Sequence, residues 1–171
     1  MHEHQRQDRE QYVHFECANL NGYRRAKELL PQYFAFTMHE LCASAIYTQD
    51  EPWYSLGFTP FEWSTWTWWD RTHKDANGND DGFEHMQSVF HAKPYDYDSI
   101  MHYGSEAGTS VPFNQLTVQN APLIRWKQGR EGYQAPSQAT DQNAQLIIPP
   151  FGRGPSDGDF EFVQKLYPWA R

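Results

Sequence analysis

Pro94-Tyr95-Asp96-Tyr97-Asp98-Ser99-Ile100-Met101-His102-Tyr103 is the stretch on which the fold of this 171-residue chain turns. It alternates phenols with carboxylates and closes on Ser-Ile-Met-His-Tyr. Taken singly, its members have ordinary roles: Met101 would fill a core and Tyr103 would be a half-buried ring. A second dense stretch opens the chain, His2-Glu3-His4-Gln5-Arg6-Gln7-Asp8-Arg9-Glu10-Gln11-Tyr12-Val13. There too a lone His2 beside Met1 reads as a frayed terminal residue. Only the two stretches together point further.

The length suits one domain with no linker. Aromatic residues make up 16% of the chain, with 7 Trp, 10 Tyr and 11 Phe, so any core must be built largely from rings. Buried Trp and Tyr need partners for their N–H and O–H groups, which favours a pocketed, partly polar interior. The net charge of −8 argues against nucleic acid, which is held by clustered Lys and Arg, and no basic run exceeds Arg24-Arg25. No run of 18 apolar residues exists, so no membrane span is expected. Met1–Glu10 has no apolar core of the signal-peptide kind. The two cysteines, Cys17 and Cys42, allow either one disulfide or two free thiols.

Along the chain, Tyr12–Phe15 predicts a short strand and Asn21-Gly22 a turn. Tyr23–Leu30 is helix-compatible, with Pro31 ending it or starting the next turn. Thr37–Tyr47 predicts a second helix, with Met38, Leu41, Ala45 and Ile46 near one face. The aromatic stretch 53–69 reads as a strand or extended loop, because Trp66 and Trp68 alternate with Thr. Residues 74–82 read as a polar loop, and 104–156 as loops with a few short strands. Ser156-x-x-Asp159 before Phe160, Phe162, Val163 and Leu166 predicts a closing helix to about Tyr167, stopped by Pro168. No internal repeat is evident.

Zinc hydrolases hold the metal with three protein ligands and leave a position open for water. A frequent arrangement is His-Glu-x-x-His on a helix, joined in some enzymes by a third His after a Gly turn and by a Met-containing turn. The sequence has no His-Glu-x-x-His; its nearest approach, His39-Glu40-Leu41-Cys42-Ala43, has Ala at the second ligand position and reads as ordinary helix. His2–Val13, however, resembles the astacin family's third zinc histidine with its Glu-x-x-Arg-x-Asp-Arg-Asp-x-Tyr-Val continuation. Pro94–Tyr103 is similar to that family's Met-turn, and Ser156–Tyr167 to its final helix. The middle, 18–90, matches nothing in the family and would be an enlarged insertion.

The resemblance implies an α+β fold, the C-terminal subdomain of a metzincin-like catalytic domain spanning 1–171, loop-rich with a few helices and short strands. By the resemblance, His2 is a zinc ligand and Tyr103 a switchable ligand that supports the oxyanion. Met101 then forms the floor under the histidines, and Glu3 pairs with the matured N-terminus. Arg6, Asp8 and Arg9 would form a structural charged cluster, with Glu10 replacing the usual Asp. It also implies peptide-bond hydrolysis, one zinc ion, a protein or peptide substrate, a monomer and a secreted parent, a setting that favours a Cys17–Cys42 disulfide. The general-base Glu, two zinc histidines and the Gly turn would precede Met1, so this chain alone is expected to be inactive. The alternative is a secreted, non-catalytic binding domain descended from such a peptidase.

Lesser candidates remain. His4, His14, His73, His85, His91 and His102 match no zinc spacing. Asp75-x-Asn77-x-Asn79 is a faint calcium-loop pattern lacking Gly at its sixth position and Glu at its twelfth, and reads as a solvated turn. Trp63–Trp69 reads as packing before it reads as a binding platform.

Overall fold

The structure is a computed structural model. It describes residues 3–43, 52–65, 68–74, 77, 79–87, 94–149, 152 and 154–166. These form an α+β arrangement of three α-helices, a three-stranded antiparallel sheet, a two-stranded ribbon and several 3-10 turns. No helix among the described residues is long and apolar enough to cross a membrane.

Strand β1 (Val13–Phe15) lies against β4 (Leu123–Trp126), which in turn pairs with β5 (Ala144–Leu146). The register sets Val13 opposite Arg125 and Ile124 opposite Leu146. Side chains alternate across a strand, so Leu123 enters one apolar cluster while Ile124 and Trp126 enter another. The larger cluster holds Val13, Leu41, Trp53, Phe58, Trp63 and Leu123, all fully buried. As composition implied, rings supply much of its volume.

Helix α1 (Tyr23–Tyr33) starts at Gly22, whose φ of 77° lies in the left-handed region. A Cβ there would stand 2.8 Å from the Leu56 carbonyl oxygen, so the turn needs glycine twice over. Ala26 and Leu30, four apart, are buried, while Arg24, Arg25, Lys27 and Glu28 face out. The helix runs through Pro31 to Tyr33 instead of ending at Leu30. Only the last turn follows the proline, Lys27 four residues before it is exposed, and the Phe34 N–H closes on the Leu30 carbonyl at 2.9 Å.

Helix α2 (Met38–Ala43) begins in a reciprocal cap. The Thr37 N–H donates to the Glu40 carboxylate at 2.6 Å, and the Glu40 N–H donates to Thr37 Oγ1 at 3.2 Å. Leu41 fills the core, and Cys42 is disulfide-bonded to Cys17. The rest of that predicted helix, 44–47, lies outside the described residues.

The stretch 53–65 is not extended. It forms two 3-10 turns, Tyr54–Leu56 and Pro60–Trp63, separated by Gly57 at φ 66°. Gly57 and Pro60 break any ladder, and the turns let Trp53, Phe58 and Trp63 all point into one core. The strand predicted there begins later, as β2 (Trp68–Lys74), paired antiparallel with β3 (Asp80–Gln87). The polar loop is correspondingly shorter than 74–82, since Lys74 pairs with Asp80. Ladder bonds are made by the backbone, so polar residues extend the ribbon. Asp75 and the side chains of Trp66, Trp68 and Trp69 lie outside the described residues.

Helix α3 (Asp157–Leu166) opens with the expected box: the Asp159 N–H donates to Ser156 Oγ at 3.1 Å, and the Ser156 N–H to the Asp159 carboxylate at 2.9 Å.

Candidate active site

The opening stretch folds as two short 3-10 turns, Glu3–Gln5 and Arg9–Gln11. It is polar, yet His4, Gln5 and Arg6 are buried. Burial of such groups is tolerable only when their hydrogen bonds are made. The Arg6 guanidinium supplies most of them. It takes Asp8 bidentately, Nε to Oδ1 at 2.9 Å and Nη2 to Oδ2 at 2.8 Å, and donates from Nη1 to Glu3 at 3.2 Å and to the Pro94 carbonyl at 3.3 Å. Glu3 also accepts the Asp96 N–H at 3.4 Å. Burial pushes the Glu3 carboxyl up, and Arg6 pulls it back only in part. Arg9 donates to Glu10 and to the carbonyls of His4 and Trp63. Arg6, Asp8 and Arg9 thus bind the opening stretch to itself, to residue 94 and to residue 63.

The turn at 98–101 is held from two sides. Its own polar groups tighten it: the Met101 N–H donates to Ser99 Oγ at 3.1 Å and the His102 N–H to the Ser99 carbonyl at 3.0 Å. The start of α3 clamps it, with Ser99 Oγ donating to Asp159 at 2.6 Å and the Ile100 N–H donating at 3.0 Å. Ser156 Oγ reaches Asp96 at 2.5 Å. Burial raises the Asp159 carboxyl, but its bonds from Ser99, Ile100 and Ser156 outweigh that and hold it below the usual range.

His102 is buried beneath this turn. Its Nδ1 lies 2.8 Å from the Tyr103 carbonyl, which can only accept, so Nδ1 carries the proton. Nε2 then accepts from the Tyr95 hydroxyl at 2.8 Å. Burial lifts the Tyr95 phenol well above its ordinary value, keeping that donor protonated. Tyr97, whose hydroxyl donates to the Tyr12 carbonyl at 3.0 Å, is pushed up to about 12 by burial, with the Arg125 guanidinium over its ring offsetting part.

Tyr103 meets the opening stretch here. Its ring centroid lies 4.7 Å from the His4 ring and 5.2 Å from Trp63, and His4 lies 5.8 Å from His102. Trp63 in turn stacks on Phe15 at 5.4 Å. The backbone carbonyl of Glu62 lies 3.2 Å from His4 Nε2 and accepts from Gln5 Nε2 at 2.9 Å, fixing the Pro60–Trp63 turn against this group. Burial raises the Tyr103 phenol and the Glu62 carboxylate raises it further, so at neutral pH Tyr103 is a hydroxyl donor.

Of the residues singled out in the sequence, Glu3, Arg6, Asp8, Arg9 and Tyr103 are brought into one connected group. His2 lies outside the described residues. Met101 stands at the turn surface, 42% exposed. Glu3 is engaged with Arg6 and the Asp96 backbone. His4, Tyr95, Trp63 and Glu62 were not assigned to the site from sequence. A buried His or a Tyr in an aromatic-rich chain carries no local signal, and Glu62 is set against His4 and Gln5 by contacts spanning 58 and 57 residues.

Among the described residues no group of three or more His, Cys, Asp or Glu could hold a metal ion. Those residues alone do not fit a zinc site, which needs three such ligands beside water; Tyr103 would offer one oxygen. Comparison with family models, with curated proteins and with solved structures gave no match.

Proposed function

We propose that this chain is part of an astacin-type zinc metalloendopeptidase, supplying the Met-turn, Tyr103 and the third metal histidine, His2. One observation carries the reading. The two stretches that resemble the family pack on each other although far apart in sequence, through Arg6 and Pro94, Glu3 and Asp96, and His4 and Tyr103. In such an enzyme a zinc ion, held by three histidines of which this chain would supply His2, would provide the activation of water for attack on a peptide carbonyl.

The part this chain's own residues play is positioning and hydrogen-bond donation. Tyr103, kept protonated by burial and by Glu62, can donate its hydroxyl to the oxygen that gains charge during attack. His102 and Tyr95 hold the backbone at Tyr103, and α3 holds the turn before it.

Zinc content and casein cleavage by the purified chain test the reading. On its own the chain is expected to hold no stoichiometric zinc and to leave casein intact. Extended to include a His-Glu-x-x-His helix, it should gain chelator-sensitive cleavage. Tyr103→Phe should then lower kcat about 10²-fold with little change in KM. Stoichiometric zinc and cleavage by the 171 residues alone would show that the site is complete without that helix, against the proposal.

A further inference from the structure

A cleft of about 350 Å³ lies between α2 and the segment that follows β1, and Tyr103 is not among its walls. It stands apart from the proposed peptidase site and does not depend on it. Its volume is at the small end of the ~300–1,000 Å³ range of small-molecule pockets, which suits a ligand of one ring and a short chain. The Cys17–Cys42 disulfide joins its two sides, the Cys17–Asn19 turn and α2, so their spacing is fixed covalently.

The apolar lining comes from Phe15, Tyr23, Met38 and that disulfide. Phe15 is held by stacking on Trp63 at 5.4 Å, and the Tyr23 ring by an edge contact with Phe58 at 6.0 Å. Rings already fixed in place can receive an apolar ligand with little further loss of entropy.

The polar part of the lining has donors to spare. Arg9 Nε donates to Glu10 and Nη1 to the carbonyls of His4 and Trp63, while Nη2 has no acceptor among the described residues. The Tyr23 hydroxyl and the His39 ring line the same cleft and have no hydrogen-bond partner among those residues either. Glu16, the one carboxylate of the walls among the described residues, is engaged elsewhere. It accepts the Ala18 N–H at 3.2 Å and lies 3.9 Å from His14 Nε2. A guanidinium with two N–H donors left over is satisfied best by a carboxylate, through charge-assisted bonds.

We propose that this cleft binds a small carboxylate with an aromatic body, the ring against Phe15 and Met38 and the charge on Arg9 Nη2 with help from Tyr23 and His39.

The test titrates the whole, disulfide-bonded 171-residue chain with 3-phenylpropionate and follows methionine methyl and arginine side-chain resonances by NMR. The Met38 methyl and the Arg9 guanidinium should shift together and saturate with a dissociation constant of about 1 mM. The Met101 methyl, at the surface of the 98–101 turn, should stay in place. 3-Phenylpropanamide, alike in shape but uncharged, should bind about tenfold more weakly. Acetyl-Gly-Phe separates two sources of the carboxylate: tighter binding than 3-phenylpropionate assigns the cleft to peptide chain ends, and weaker binding to free acids. Ala18→Trp, at an exposed position on the wall, should fill the cleft and abolish the Met38 shift. Tyr23→Phe with His39→Ala leaves Arg9 and its ties intact, and should weaken the acid about fivefold while changing the amide less than about twofold. If Ala18→Trp does not fold, this double variant decides. No Met38 shift up to about 20 mM acid overturns the proposal, as do equal binding of acid and amide or an Arg9 signal that stays still while Met38 moves. A Met38 shift that survives Ala18→Trp, or acid and amide weakened alike by the double variant, also overturns it.

Discussion

Arg6 shows how one side chain can decide whether a polar segment folds. Its guanidinium is 1% exposed and spans Glu3, Asp8 and the Pro94 carbonyl. Replacing one partner of a buried ion network leaves the others uncompensated, a larger loss than the network's own net worth. Arg6→Ala should therefore destabilise the chain by about 3 kcal/mol in urea unfolding. Arg6→Lys should recover only part, because an ammonium cannot grip Asp8 with two parallel bonds. Arg9 lines up as a second tie, from the opening turns to Trp63. The sequence resemblance suggested a charged cluster at these positions. It could not reveal that the cluster reaches to residues 63 and 94, because nothing local in Arg6 or Arg9 marks a partner so far along the chain.

At the scale of elements, the junction between α3 and the 98–101 turn is the most informative. Asp159 serves both, accepting from Ser156 in the helix cap and from Ser99 and Ile100 in the turn. Asp159→Ala should cost about 1–2 kcal/mol and shift the Ile100 amide resonance as well as those of the helix start. A change confined to the helix would refute the clamp. The pH dependence has a definite sign. The Asp159 carboxyl titrates lower in the folded chain than its ordinary 3.8. Its contribution is thus present above that value and is lost as pH falls through the lower, folded one. The Ile100 and Ser156 amides should move together in that acid window.

The disulfide belongs to the same scale. It ties the 3-10 turn Cys17–Asn19 to α2 across a separation of 25 residues. Cys17→Ser with Cys42→Ser should lower stability by about 3 kcal/mol in the chain-entropy account. Unchanged unfolding after reduction would contradict the pairing.

Over the whole molecule, what could be foreseen from sequence was the local part. The cap at Ser156, the strand near Val13, the turn at Gly22 and the loop-rich 104–156 follow from short-range chemistry. Pro31 misled because a helix tolerates proline where only one turn remains and the preceding turn is on the exposed face. Trp53 to Trp63 misled because alternation of aromatic and polar residues at 66–68 was carried back across Gly57 and Pro60. His4 and Glu62 were beyond reach, since their neighbourhood is assembled by long-range contacts among turns.

The central claim is that the opening stretch and the Met-turn form one edge of a zinc site, with His2 and Tyr103 as its ligands. Zinc titration of the chain extended to include a His-Glu-x-x-His helix, followed by NMR of the histidine and tyrosine side chains, tests this most directly. The account predicts that the His2 imidazole and the Tyr103 ring shift together and saturate at the same zinc concentration, while His102, already committed to Tyr95 and the Tyr103 carbonyl, stays in place. Shifts at other histidines, such as His39 or His91, with His2 and Tyr103 unmoved would contradict it.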